Sequence, residues 1–435
     1  MSQKAGKQRK RDDSDDNGLS TAGKVALGVA AAAAGAAVGY FGSRLLSSWL
    51  SESGTEEKEK KCDASKSHKD DSKNDEVMSG ANAQCTGRHD MNAAGIQQPS
   101  LHEELLLYYQ QYVDIPAARL QAVQTVVQQV TRAVTRQLGE PPNSFKRLAL
   151  KIGDMVSFGS ASEGLQVVRP NCFDVMVPVM FGSGNSHAQE ASVGGRQVAG
   201  SYVIVLADDS GQLCDDEQRL VTAKLVDVLQ VVIEKAAQDV TGYHCIIQPP
   251  SQTATTVSLA MYVDGSDVTV NFHPFVIIGD QLFLPADPTW SSTQCDVDGR
   301  LWMQSFVRQE KWSVDRFDSS VCGHLMALKI LKAIRLNHVE QFGSVSSYHL
   351  KILLFHVLED LPDSCDWLEN AVGERLIDLL TRLTQALRDH HMSHYFDQNV
   401  NTLQHVPREM SNNLAKFLEK KLAHNDITSL LKRAY

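Results

Sequence analysis

Two short stretches carry residue types whose spacing points to chemistry. Phe158-Gly159-Ser160 is a turn sequence, and eleven residues past it a strand-like run reads Cys172-Phe173-Asp174-Val175-Met176. Residues two apart on a strand share a face, so Cys172 and Asp174 point together toward the Gly-Ser turn. A turn of this kind offers backbone amides and a hydroxyl to anionic oxygens. The facing strand offers one carboxylate and one thiol, and a thiol is largely protonated near neutral pH and is a soft ligand. Three histidines, His390, His391 and His394, are spaced to share a helix face, but no carboxylate or cysteine accompanies them. The eight cysteines lie far apart without a C-x-x-C pair, which suits reduced thiols facing the cytosol rather than a zinc knuckle or disulfide scaffold.

These residues need a body to position them. The chain has 435 residues, 43% of them apolar, which is room for more than one core. Its 52 acids against 42 bases leave a net charge of −10, disfavouring a general polyanion binder, and no nucleic-acid partner is expected. Pro116 opens a helical pattern in which Leu120, Val123, Val127, Val130, Val134 and Leu138 recur at three and four, closing at Gly139. Strands are expected at Phe173–Val179, Tyr202–Leu206, Tyr243–Gln248 and Val268–Ile278, interrupted by a helix over Glu217–Gln238. Helices alone are expected near 319–337, 347–360, 367–390 and 407–423. The reading is α+β: a mixed lobe over 100–317 and an all-helical lobe over 318–435, with a cleft between them.

Ahead of the body, residues 1–23 read as a polar tail, 24–46 as a single transmembrane anchor and 47–99 as a disordered linker. Val25 to Ser43 are 19 residues without a charge, about 28 Å as a helix. Gly35-xxx-Gly39 within them has the spacing of helix pairing and hints at a homodimer. A cleaved signal peptide and a soluble Ala-rich helix are the competing readings. The preceding segment, with Asp12, Asp13, Asp15 and Asp16, is long and acidic for a signal peptide.

Residues 100–435 resemble the male-abnormal (Mab) family of nucleotidyltransferase folds, which includes cyclic GMP-AMP synthase and the mitochondrial dynamics proteins. With the synthase the chain shares the Gly159-Ser160 turn, Asn171 to Met176, Trp302-xx-Ser305-Phe306-xxx-Glu310-Lys311 and Ser346-Ser347-Tyr348-His349. With the mitochondrial dynamics proteins it shares Ser100 to Leu106, Tyr108-Tyr109, Ile115-Pro116-Ala117, Leu165 to Val168, Leu328 to Ile334 and Gly373-Glu374-Arg375. The resemblance implies a turn that holds phosphates and three carboxylates that hold metal ions. Here Cys172 stands at the first carboxylate position and Asn271 at the third, leaving Asp174 alone. Asp267 is four residues from Asn271 on the same strand face, about 13 Å away, too far to substitute.

Two-metal phosphoryl transfer is therefore not expected, and the resemblance implies a catalytically silent fold with no metal. The mitochondrial dynamics proteins have likewise lost these ligands, and one of them binds a nucleoside diphosphate without chemistry. By resemblance Gly159, Ser160, Cys172, Asp174, Ser305, Arg308, Lys332, Ser347 and Tyr348 line a nucleotide site, with ADP or another nucleotide as a regulatory ligand. Lys329, one helical turn from Lys332, is the alternative phosphate contact. The synthase's base-contacting arginine is Met303 here; that of the dynamics proteins is Val307, with Arg308 displaced by one. Bland readings stand beside these: Cys172 as a small buried hydrophobe, Asp174 as a relic paired with a lysine, Tyr348 as a core tyrosine.

The leading expectation is an adaptor anchored in the mitochondrial outer membrane that recruits a dynamin-related fission GTPase. An active cyclic-dinucleotide-type enzyme with an atypical metal site is one alternative. The other is an endoplasmic-reticulum or plasma-membrane regulator of the same family, similar to the inositol-trisphosphate-receptor-interacting proteins.

Overall fold

The computed structural model describes residues 99–139, 150–181, 186–193, 196–206, 212–248, 255–286, 299–317 and 321–431. All belong to the compact unit Glu56–Tyr435. Helices α1 (Leu101–Tyr108) and α2 (Ala117–Gly139) lead into strands β1 (Leu150–Ile152), β2 (Val156–Phe158), β3 (Cys172–Phe181), β4 (His187–Val193) and β5 (Arg196–Val205). Helix α3 (Thr222–Gln238) precedes β6 (Cys245–Ile247), β7 (Val257–Val263), β8 (Ser266–Ile278), β9 (Gln281–Pro285) and β10 (Trp302–Ser305). The remainder is helical: α4 (Val307–Val314), α5 (Gly323–Asn337), α6 (Val339–Phe342), α7 (Ser347–Asp360), α8 (Val372–Asp389) and α9 (Arg408–Ala423).

Among the described residues the strands form one sheet in the order β1-β3-β8-β9-β10-β5-β4, with β2 on β3 and with β7 and β6 continuing from β8. Its axis is the pair β3 and β8, which run parallel and in register from Cys172↔Thr269 to Val179↔Val276. A parallel pair needs a crossover, and the chain between them supplies α3. Helices α2 and α3 lie on one face, packing Val123, Val127, Val130 and Val134 with Val226, Leu229 and Ile233 against Val175, Val177, Val270 and Phe272. The helical lobe buries a separate core around α5, α7 and α8, including Ile330, Leu331, Leu354, Leu380 and Leu387.

The α+β assignment stands, with boundary corrections that have local causes. Helix α3 starts at Thr222 instead of Glu217 because the Asp215 carboxylate accepts from the Glu217 and Arg219 amides, holding 215–219 in a turn. The helix expected from 367 begins at Val372, after two 3-10 turns. Its C-cap is His390 in the left-handed region, φ 52°, so the three histidines do not share a helix face. Strands β2, β9 and β10 are five residues or fewer, too short for alternation to announce them.

The transmembrane element is corrected. Among the described residues no helix is long and apolar enough to cross a membrane. The longest, α2, carries Arg119, Arg132 and Arg136 and buries one face on the sheet; α5, the most buried, has 15 residues and carries Lys329, Lys332 and Arg335. The anchor expected at 24–46, with Gly35-xxx-Gly39, lies outside the described residues, as do the tail 1–23 and linker residues 47–98. The fold class is thus an α+β lobe followed by a helical lobe, and the membrane localisation and bilayer contact derived from the anchor have no support in this structure.

Gly200 on β5 holds the two lobes together at one point. Its φ is +72°, and a Cβ there would come within 2.5 Å of Val400 Cγ2 from the helical lobe. Gly200→Ala is expected to lower stability by about 1–3 kcal/mol, from backbone strain and the displaced valine. A urea midpoint equal to that of the wild type would contradict this packing.

Candidate functional site

The parallel register places Asp174 of β3 opposite Asn271 of β8, and β7 brings Ser258 opposite Asn271 on the other side. The Ser258 hydroxyl donates to Asn271 Oδ1 at 2.8 Å. The amide's orientation is fixed from the β3 side, because an ionised carboxylate only accepts while a serine hydroxyl can serve either end of a carboxamide. The NH2 end therefore faces β3, donating to Asp174 Oδ1 at 3.0 Å and to Cys172 Sγ at 3.3 Å. His273, two residues further along β8, brings Nε2 to 3.0 Å from the same carboxylate oxygen. Burial would raise the Asp174 carboxyl, but the His273 hydrogen bond and charge and the Asn271 amide outweigh it, and the net direction is down. The stabilisation this represents is present above the ordinary carboxylate range and lost as pH falls through the lowered value.

Metal ions are what this site type would hold, and the residues do not fit them. Hard divalent cations take oxygen ligands, preferably charged. One carboxylate is present, and it already accepts two donors. Asn271 turns its donor end inward, and its oxygen is taken by Ser258. The Cys172 thiol is pushed up to about 11, first by desolvation and then by the Asp174 charge, so it stays protonated. Among the described residues no group of three His, Cys, Asp or Glu is placed to hold a metal ion. Cys172 is exposed, not a buried hydrophobe, and Asp174 pairs with an imidazole and an amide, not with a lysine.

Gly159 closes this cluster from above. It has φ +70°, and a Cβ would sit 3.1 Å from Asp174 Oδ2, so both the backbone and the close approach call for glycine. The turn is tied down by Ser162 and Glu163 amides on the Gly159 carbonyl, 3.1 Å each, and by the Leu165 amide on the Ser160 carbonyl at 2.8 Å. From α5, Lys332 Nζ donates to Ser160 Oγ at 2.9 Å and to the Leu165 carbonyl. Burial pushes Lys332 down to about 8; Lys351, Lys329 and Arg335 add to this and Glu163 opposes it. Lys329 instead bonds Asp114 at 2.7 Å and the Tyr109 hydroxyl at 2.9 Å, leaving Lys332 as the lysine on the turn.

A cavity of about 280 Å3 lies alongside, between the sheet and the helical lobe. Phe158, which directly precedes Gly159, lines it together with Phe275, Met303, Ser305 and Tyr348. Arg308 is on α4 but is not among the lining residues; it lies in the field of Asp280. Ser347 opens α7, half-buried, and is not a lining residue either. The structure therefore gathers Gly159, Ser160, Cys172, Asp174, Asn271 and Lys332 around the turn and puts Ser305 and Tyr348 on the cavity.

Tyr348 is partly buried, packing against the helical core on one side and lining the cavity on the other. Its hydroxyl donates to Glu310 Oε1 at 2.7 Å and lies 2.9 Å from His394 Nε2. The Phe396 amide donates to His394 Nδ1, so Nε2 carries the proton and donates to the tyrosine oxygen. Burial lowers His394, consistent with that neutral form. His390 and His391 go elsewhere, to the Val406 carbonyl and the Ser393 hydroxyl. Spacing missed His273 and Ser258, although His273 shares Asn271's strand face two residues on.

Two family models match the chain: the Mab-21 protein nucleotidyltransferase domain over residues 161–312, and the Mab-21 protein HhH/H2TH-like domain over 324–420. Together they span more than half of it. They fall on the α+β lobe and the helical lobe, and neither brings a membrane anchor or a docking element for a dynamin-related GTPase. The expectations of an outer-membrane adaptor and of GTPase recruitment are corrected accordingly.

Restoring charge is expected to restore metal affinity. The double variant Cys172→Asp, Asn271→Asp places three carboxylates around one point and binds Mn²⁺ in calorimetric titration, where the wild type shows no saturable site. Wild-type Mn²⁺ binding that disappears on Asp174→Asn would contradict the donor arrangement.

Proposed function

The chain belongs to the Mab-21 family, and on that premise we propose that it is a catalytically silent nucleotidyltransferase fold that binds a nucleoside diphosphate without a divalent metal. One observation carries the reading: the Asn271 amide and His273 imidazole satisfy Asp174 where metal ligands would have to converge. The phosphates are assigned to the Gly159-Ser160 turn and to Lys332, which donates to the Ser160 hydroxyl. The base is assigned to the cavity, against Tyr348 and Ser305. Without a cation, each further phosphate adds charge that one lysine must offset, which favours a diphosphate over a triphosphate.

The motifs shared with the mitochondrial dynamics proteins support the same assignment within the family. Gln166 in Leu165-Gln166-Val167-Val168 donates its amide to the Cys172 carbonyl, and Lys332 in Leu328 to Ile334 holds Ser160. The first motif thus ties the segment after the turn to β3, and the second holds the turn itself.

Calorimetric titration of the whole chain with ADP is expected to give the same affinity with Mg²⁺ and with chelator, and the nucleotide is recovered intact. Lys332→Met weakens binding at least about tenfold, the scale of one charged hydrogen bond. The pH dependence has a definite sign. Lys332 sits near 8 in the free protein, and bound phosphate favours its protonated form. Affinity is flat from pH 7 to about 8 and then falls by up to about tenfold per pH unit; Lys332→Met removes that fall. Mg²⁺-dependent binding with a new product overturns the proposal.

A further inference from the structure

Three charged side chains that the nucleotide contacts do not use lie buried between the turn and the cavity. Glu163 belongs to the turn, three residues after Ser160, and its side chain is 3% exposed. Lys351 comes from α7 and Glu310 from α4, at 9% and 8%. Lys351 Nζ lies 3.1 Å from both Glu163 oxygens and 2.6 Å from Glu310 Oε2. The other Glu310 oxygen accepts from the Tyr348 hydroxyl at 2.7 Å. One ammonium is thus shared by two carboxylates, one in the phosphate turn and one on the cavity wall.

Buried charges are held where their partners are, because each move that lengthens one contact leaves an ion poorly compensated in a low-dielectric interior. A shift of Glu310 draws on Lys351, and Lys351 draws on Glu163. Glu163 also opposes the burial that pushes Lys332 down, and Lys351 reinforces it, so two of the three groups bear directly on the lysine assigned to the phosphates. A group that packs on the Tyr348 ring orders Tyr348 and Glu310, and through Lys351 it orders the turn.

We propose that Glu163, Lys351 and Glu310 are positioning residues that couple the cavity to the Gly159-Ser160 turn, so that the base and the phosphates of one nucleotide bind cooperatively. The inference rests on the nucleotide reading above. Its sign is positive, because the ordering cost of the shared network is met once for both halves of the ligand.

The test splits the ligand. Pyrophosphate is titrated into the whole chain with and without saturating adenosine or guanosine, and each nucleoside is titrated alone. In the wild type the nucleoside is expected to tighten pyrophosphate binding by about fivefold or more, the lower range of measured site couplings. In the neutral triple variant Glu163→Gln, Lys351→Met, Glu310→Gln both probes still bind and the enhancement disappears. Tyr348→Phe keeps the ring and removes the hydroxyl that links it to Glu310 and His394; it too abolishes the enhancement, and it guards against a misfolded triple variant. Probes that bind independently in the wild type, or an enhancement that survives in both variants, overturn the coupling and leave the nucleotide reading intact. Failure of both probes and of ADP to bind overturns both.

Discussion

An ionised carboxylate packed against the Gly159-Ser160 turn has to be neutralised, and everything else in this site follows from how that is done. Asp174 is mostly buried and stands beneath Gly159, with no room for a side chain between them. A metal ion is the neutralising partner for which such a strand pair is suited. Here two hydrogen-bond donors on β8 take its place, one of them an amide whose oxygen accepts from Ser258 on β7. The arrangement needs three strands in fixed register, and the parallel pairing of β3 with β8 is what supplies it. A one-residue slip would turn Asn271 and His273 to the opposite face.

The second dependence is between the lobes. The α+β lobe brings Glu163 and Glu310 and the helical lobe brings Lys351, Tyr348 and His394, and none of these charges is left to water. Buried ion pairs are weak evidence for stability, since desolvation offsets much of the attraction. Their consequence is geometric: separating the lobes strands three charges at once. Gly200 against Val400 adds a steric requirement at the same junction. The cavity and the turn are accordingly connected through one set of buried contacts, not features of two independent lobes.

Much of the architecture was legible because it is periodic. The valines of α2, the alternation around Asp174 and the leucines of α8 each state an element and its buried face. The turn and the two missing carboxylates at Cys172 and Asn271 could be read from spacing and resemblance together. Lys332 over Lys329 came from the resemblance and not from spacing, because one helical turn apart both point the same way; in the structure Asp114 and Tyr109 claim Lys329. Glu163, Glu310 and Lys351 carry no local signal: their meaning lies in contacts between segments far apart in the chain. The apolar run before residue 46 lies outside the described residues.

Diffraction from crystals grown with ADP and Mn²⁺, collected at the manganese edge, tests the account at its centre. The account predicts phosphate density on the Gly159-Ser160 turn within reach of Lys332, the Asn271 amide still donating to Asp174, and no anomalous peak at coordination distance, about 2–2.5 Å, from Asp174. An anomalous peak bridging Asp174 and the phosphates, with Asn271 turned to offer its oxygen, would contradict it.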